Sequence, residues 1–161
     1  MKEKILSIIE KNSRLGVSDI AVLLGEEEEA VKRAIEEMER DHVICGYHTI
    51  VNWGALDNNT KVSALIEVKV TPQRGIGFDK IAERIYNYPE VDDVYLMSGG
   101  FDLCVMIEGE SLQDVALFVS DKLSTLDYVI STATHFMLKK YKDHGTILNP
   151  VKDRERIPIQ P

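Results

Sequence analysis

Val91-Asp92-Asp93-Val94-Tyr95-Leu96-Met97-Ser98-Gly99-Gly100-Phe101-Asp102-Leu103-Cys104-Val105-Met106-Ile107-Glu108 is the stretch on which the fold turns. Residues 91–98 and 101–108 are rich in strand formers, and Gly99-Gly100 between them reads as a hairpin turn. Upstream, Phe78, Ile81, Ala82, Ile85 and Tyr86 make a helical stripe that stops before Pro89. Further upstream Val62, Ala64, Ile66, Val68 and Val70 alternate with Ser63, Glu67 and Lys69, the period of a half-buried strand. The turn-rich stretch 72–77 separates these two. Downstream, Ser111 caps a helix running through Val115, Phe118, Val119, Leu123 and Leu126, and Tyr128 to Lys139 reads as a last strand. The order is β-α-β-β-α-β, a ferredoxin-like arrangement.

Such a fold covers one sheet face with helices and leaves the other to water or to a partner. Leu103-Cys104-Val105-Met106-Ile107 is apolar on both faces. In the last strand Ile130, Phe136 and Leu138 fall on one side and Val129, Ala133 and Met137 on the other. The second face is therefore expected to pack on another subunit.

The first third has a different period. Ile5, Leu6, Ile8 and Ile9 form one helical stripe that ends near Asn12. Ser18 is the expected cap of a short second helix with Ile20, Ala21, Leu23 and Leu24, and Gly25 breaks it. Val31, Ala34, Ile35 and Met38 mark a third helix to about Asp41. A short helix, a glycine turn and a longer helix fit a helix-turn-helix, and fit a plain helical bundle as well. Residues 43–51 are then predicted to be a strand, and residues 52–60 a linker.

Composition bounds the function. The 161 residues carry 19 basic and 27 acidic groups, a net charge of −8. That excludes a chain that coats nucleic acid by bulk charge, while leaving room for a local contact surface. No apolar run approaches the roughly 18–20 residues of a spanning helix, and the opening Met1-Lys2-Glu3-Lys4 lacks a signal peptide's apolar core, so a cytoplasmic location and no membrane partner are expected. Cys45 and Cys104 stand far apart without a CxxC, which predicts buried reduced thiols and no metal. The four histidines show no i, i+4 pairing, Ser98 has no GxSxG elbow, and Gly75-Ile76-Gly77 lacks the rest of a dinucleotide fingerprint. No catalytic residue and no cofactor are expected.

Helix-turn-helix, strand, linker and βαββαβ together resemble the Lrp/AsnC (feast/famine) family of transcription regulators. Asp41-His42-Val43-Ile44-Cys45-Gly46-Tyr47 resembles the family's G-x-I-x-G-Y exit from the third helix, with His42 in place of the usual glycine. Leu96-Met97-Ser98-Gly99-Gly100-Phe101-Asp102-Leu103 resembles its V-x-G-x-[YF]-D signature. The resemblance covers about residues 1–140. It implies an α+β protein: a winged-helix-like helix-turn-helix domain over residues 1–51, a linker at 52–60, a ferredoxin-like effector-binding and oligomerisation domain at 61–140, and a basic tail at 141–161. It also implies double-stranded DNA, a small-molecule effector (often an amino acid), and a homodimer or higher homo-oligomer, tetramer or octamer, as partners.

The implied effector cleft between subunits is lined by Leu96, Met97, Ser98, Gly99, Gly100, Phe101 and Asp102, with Thr134, His135 and Phe136. Two glycines leave backbone N–H groups uncovered, which suits a carboxylate. Asp102 is suited to an ammonium, or else to fixing the turn backbone. Ordinary packing equally accounts for Leu96, Met97 and 134–136. On the implied recognition helix Glu28, Glu29, Lys32, Arg33 and Arg40 are the candidate DNA-facing residues. Carboxylates at its start favour the helix dipole and repel phosphates, so weak DNA affinity per subunit is expected, helped by avidity. The alternative is an effector-binding oligomer that no longer reads DNA. The basic tail, with Lys152, Arg154 and Arg156, is suited to DNA, to a neighbouring subunit or to solvent.

Overall fold

The computed structural model describes residues 1–57, 59–71 and 77–149. The chain divides into two units, Met1–Val51 and the part from Asn52 onward.

In the first unit α1 (Lys2–Ile9), α2 (Val17–Leu24) and α3 (Glu28–Arg40) enclose Ile5, Ile20, Ala21, Val31, Ala34, Met38 and Ile44. The cap of α2 is Gly16, not Ser18. The Asp19 carboxylate accepts the Gly16 N–H at 3.2 Å, which starts the helix early and leaves Ser18 inside it. The ends of α2 and α3 share one device. Gly25 (φ +67°) turns left-handed and the Glu26 N–H returns to the Ala21 carbonyl at 3.0 Å. His42 (φ +55°) does the same for α3, the Val43 N–H reaching the Met38 carbonyl at 2.8 Å. Glycine takes this conformation freely; a side chain there costs about 1–2 kcal/mol.

The predicted strand at 43–51 is absent. The Val43 and Ile44 N–H groups both go to Met38, and no described strand lies beside the rest, so its β-branched residues have no ladder to join. Val43, Tyr47, Ile50 and Val51 stay exposed. Cys45, expected to be buried, is exposed as well, its thiol donating to the His42 carbonyl at 3.1 Å. The following stretch holds a single 3₁₀ turn, Trp53–Ala55.

The second unit runs β1 (Val62–Val70), α4 (Phe78–Tyr86), β2 (Val91–Leu96), β3 (Leu103–Gly109), α5 (Leu112–Leu117) and β4 (Val129–Phe136). Its four-stranded antiparallel sheet has the order β2-β3-β1-β4, the ferredoxin-like topology. Ala64, Ile66, Val68, Val70, Leu103, Val105 and Ile107 form the covered face, under Ile81 and Ile85 of α4 and Val115, Phe118 and Leu123. The second helix is shorter than its stripe suggests. It passes at Phe118–Leu123 into a wider π-type turn, in which the Ser124 N–H bonds the Val119 carbonyl at 2.8 Å.

The last strand is also shorter than the predicted 128–139 and faces differently. A register shift between Lys69 and Val70 sets Val129 opposite Val70, on the core side, and leaves Ile130 exposed. Thr132, Thr134 and Phe136 pair with Val68, Ile66 and Ala64 of the covered face; Ala133 and His135 pair with Glu67 and Leu65 of the open one. Beyond it lies an unforeseen small hairpin, β5 (Lys142–Asp143) with β6 (Thr146–Ile147). His144 (φ +40°) and Gly145 (φ +81°) turn it, and the Asn52 amide donates to the Leu148 carbonyl at 2.8 Å. The rest of the basic tail, with Lys152, Arg154 and Arg156, and the loop residues 58 and 72–76 lie outside the described residues.

Candidate effector site and DNA-facing helix

The β2–β3 connection is longer than a two-residue turn. Strand pairing stops at Leu96 opposite Leu103, and the Met97 N–H donates to the Asp102 carbonyl at 2.8 Å. Four residues, Ser98 to Phe101, are left as the loop. Neither Gly99 nor Gly100 has positive φ, and a Cβ built on either meets nothing within 4 Å. Their backbone therefore faces open space, and glycine is not required there by the turn itself. Leu96, Met97 and Ser98 are exposed; Phe101 and Asp102 are half-buried.

Asp102 is held on both its main chain and its side chain. Its N–H donates to the Val68 carbonyl at 3.0 Å, and its Oδ2 accepts the Val70 N–H at 2.8 Å. The carboxylate thus extends the β1–β3 contacts past the last pair, Val68 opposite Leu103, a role legible only once β1 and β3 are neighbours. The Asp102 carboxylate accepts from β1 and not from the backbone of its own turn.

The second predicted segment is elsewhere on the sheet. Thr134, His135 and Phe136 pair with Ile66, Leu65 and Ala64, four to six residues along β1 from Val70, or about 13–20 Å at 3.3 Å per residue. They also sit on the edge strand opposite β2. One chain does not bring the two segments together. His135 lies on the open face, its Nε2 3.3 Å from the Glu67 carboxylate, a contact the sequence reading missed because it crosses strands. Near them on this face are Leu65, Met106 and Cys104, whose thiol is pushed up by burial and then by Glu67 and Asp93.

On α3 the apolar residues point inward and Glu28, Glu29, Lys32, Arg33 and Arg40 are all exposed. Glu28 and Glu29 occupy the first turn and Arg40 the last, both favourable to the helix dipole. Arg33 Nε donates back to the Glu29 carbonyl at 3.2 Å, and Arg40 Nε lies 3.6 Å from Asp41. Lys32 makes neither kind of contact among the described residues. Glu37 is paired with Lys2 at 2.9 Å, a bond that holds its carboxyl below the usual range. Among the described residues no cluster of three or more potential metal ligands forms.

Residues 63–147 match the Lrp/AsnC ligand binding domain, which is more than half of the chain. The chain is also 50% identical over 158 residues to the HTH-type transcriptional regulator YugG of Bacillus subtilis, covering 98% of this chain and 95% of that one. The chain belongs to the Lrp/AsnC family. These are transcriptional regulators, a non-enzymatic family that binds DNA and small-molecule effectors. The Lrp/AsnC fold extends over both units. A regulator from Neisseria meningitidis, NMB0573, solved as an L-Met complex, superposes with a TM-score of 0.71 at 19% identity over 91% of this chain and 93% of its own. AsnC of E. coli superposes at 0.64 with 19% identity over 86% and 91%. In this Lrp/AsnC chain the β2–β3 hairpin lies within the ligand-binding domain, and α1 to α3 form the helical unit that precedes it. No helix among the described residues is long and apolar enough to cross a membrane.

Proposed function

We propose that this regulator binds double-stranded DNA through α3 and takes an amino acid as effector at the β2–β3 hairpin, between copies of the chain. The observation that carries the effector reading is the hairpin itself. Gly99 and Gly100 present uncovered backbone to open space, and beside them Asp102 is a carboxylate fixed by Val70. An amino acid carries the complementary pair, a carboxylate for backbone N–H groups and an ammonium for a carboxylate. The L-Met complex of NMB0573, a protein of the same fold, supports this choice. Leu96, Met97, Ser98 and Phe101 supply the surrounding contacts, and Thr134, His135 and Phe136 complete the cleft from a second copy.

The open face of the sheet is the surface through which copies associate in this reading. Leu65, Met106 and Cys104 there are apolar and have no helix of their own unit over them. Effector binding at such an interface shifts the population of assembled states, and with it the spacing of the α3 helices on DNA.

A second reading, an effector-binding oligomer that no longer reads DNA, is favoured by α3 alone. Its carboxylates outnumber its cations, and Arg33 and Arg40 are turned onto their own backbone or neighbour. One pair of measurements tests both. A thermal-shift screen of the twenty amino acids, followed by calorimetry, is expected to give a specific binder whose affinity falls in Gly100→Val and Asp102→Ala. Fluorescence anisotropy with a fragment from the gene's own upstream region is expected to show binding that weakens steeply with salt. No amino-acid binder overturns the effector assignment. Binding of an amino acid with no DNA binding even at low salt selects the second reading.

A further inference from the structure

The open face of the sheet carries an ion pair whose charge depends on a proton. His135 of β4 stands opposite Leu65 of β1, and its Nε2 reaches diagonally to the Glu67 carboxylate, 3.3 Å away. Glu67 itself lies between Ala133 of β4 and Cys104 of β3, and neither carries a charge to offset it. His135 is its only ion-pair partner among the described residues. In the single chain the two side chains are 58% and 37% exposed, so water solvates the carboxylate whether or not the imidazole is charged.

A second copy on this face changes that balance. Leu65, Met106 and Cys104 flank the pair, and a carboxylate taken out of water beside them is costly unless a charged partner stays with it. The other charged and titratable groups toward the pair are Lys69 on β1, Cys104 and Glu108 on β3, and Asp92, Asp93 and Tyr95 on β2. Lys61 bonds Glu108. Carboxylates outnumber lysines in this set, so two such faces repel while His135 is neutral. Burial, Glu67 and Asp93 push the Cys104 thiol up, and Asp93 and burial push the Tyr95 phenol up, so both stay neutral near pH 7. Asp92, whose carboxyl is pushed up by burial, Glu108 and Asp93, is the one competing acid.

We infer that assembly through the open face takes up a proton at His135, which makes the oligomeric state of this regulator respond to pH between about 6 and 8. The inference rests on the open-face association proposed above. As the face is covered, the imidazolium neutralises Glu67 and removes the excess of negative charge that opposes contact. Each copy brings one such pair. Association is therefore strongest on the acidic side of a histidine's ordinary range and weakens as pH rises through it.

The test is sedimentation equilibrium of the full-length protein at about pH 6 and about pH 8, at one ionic strength. The wild-type association constant is expected to be about tenfold or more higher at the lower pH, since each copy in the assembly takes up a proton. His135→Gln, neutral throughout, should lose this dependence and stay at the weak wild-type level of the higher pH. Glu67→Gln should lose it too, but associate more strongly than wild type at the higher pH, because no carboxylate is left to cover. His48→Gln, at an exposed position in the first unit, should keep the wild-type dependence. A wild-type association constant that is the same at both pH values overturns the inference and leaves the open-face interface standing. So does a dependence that survives in His135→Gln or vanishes in His48→Gln. A protein that is monomeric at both pH values overturns the interface and this inference with it.

Discussion

The two faces of the four-stranded sheet are built from the same strands and meet different fates. On one, Ala64, Ile66, Val68, Leu103, Val105 and Ile107 are buried under α4 and α5 without a polar residue among them. On the other, Leu65, Cys104 and Met106 are interleaved with Glu67, Lys69, Asp93 and His135. The covered face is a core and tolerates only apolar side chains. The open face keeps enough charge to remain in water and enough apolar area to be worth covering, as an interface between copies requires. In the proposed assembly one sheet divides labour, stability on one side and association on the other.

Removing packing from the covered face tests this division most strongly. Ile66→Ala, at a fully buried site in the central β1, is expected to cost about 2–5 kcal/mol in denaturant unfolding. Met106→Ala, one face away and half-buried, should cost a small part of that. Equal losses at the two positions would break the comparison.

The next effect is on assembly. Leu65→Glu places a charge on the open face and is expected to convert an oligomer to a monomer of 18.2 kDa by light scattering, with the far-UV spectrum unchanged. A wild-type protein that is already monomeric at micromolar concentration, or a Leu65→Glu protein that remains assembled, would move the interface off this face.

Asp102 belongs to both stories, because it ties the hairpin to the end of β1. Asp102→Ala should cost about 1–3 kcal/mol, since it leaves the Val70 N–H without its acceptor. Asp102→Asn, which keeps an acceptor, should recover most of the stability. If Asp102→Asn does not also recover effector affinity, the charge of the carboxylate acts on the ligand and not only on the turn.

The smallest effect separates two charge pairs. At the rim of the covered side, Lys122 bonds Glu90 and lies over the rings of Tyr88 and Phe118, at 5.5 and 5.9 Å. That bond holds the Glu90 carboxyl below its ordinary value, against the opposing effect of burial. A lowered value means that stability is present above the ordinary carboxylate range and is lost as pH falls through the folded-state value. Glu90→Gln should therefore be less stable than wild type at pH 7, by about 1 kcal/mol or less for so exposed a pair, with the difference closing toward pH 3. Glu67→Gln, which removes the exposed contact to His135 on the open face, should change stability at pH 7 by less than about 0.5 kcal/mol.

Several particulars show where the sequence was legible. Alternation in Val62–Val70 and the stripes of α3 and α4 read correctly because a local period states which side is buried. Val43–Val51 misled because strand propensity describes a surface that fits a ladder, and the described residues offer it none. The faces of β4 misled because a single register shift at Lys69/Val70 moved Val129 inward, which no periodicity announces. Gly16 as the cap of α2 was missed, since the bonding group is the Asp19 side chain three residues later. The His144-Gly145 turn carried a readable hairpin signal, the glycine between Lys142-Asp143 and Thr146-Ile147.

By itself, then, the sequence determined the three helices of the first unit and the βαββαβ order of the second, because each rests on a local period along the chain, while the family came from the resemblance of residues 41–47 and 96–103 to its motifs. Only the tertiary structure decided what Asp102 holds, that Thr134–Phe136 lie apart from the hairpin, and that the Tyr128 hydroxyl is buried without a partner among the described residues. Those are relations between residues far apart in sequence, set by which strands lie side by side and in what register. Hydrogen-bond partners and burial are properties of that arrangement, and no local pattern of residue types specifies them.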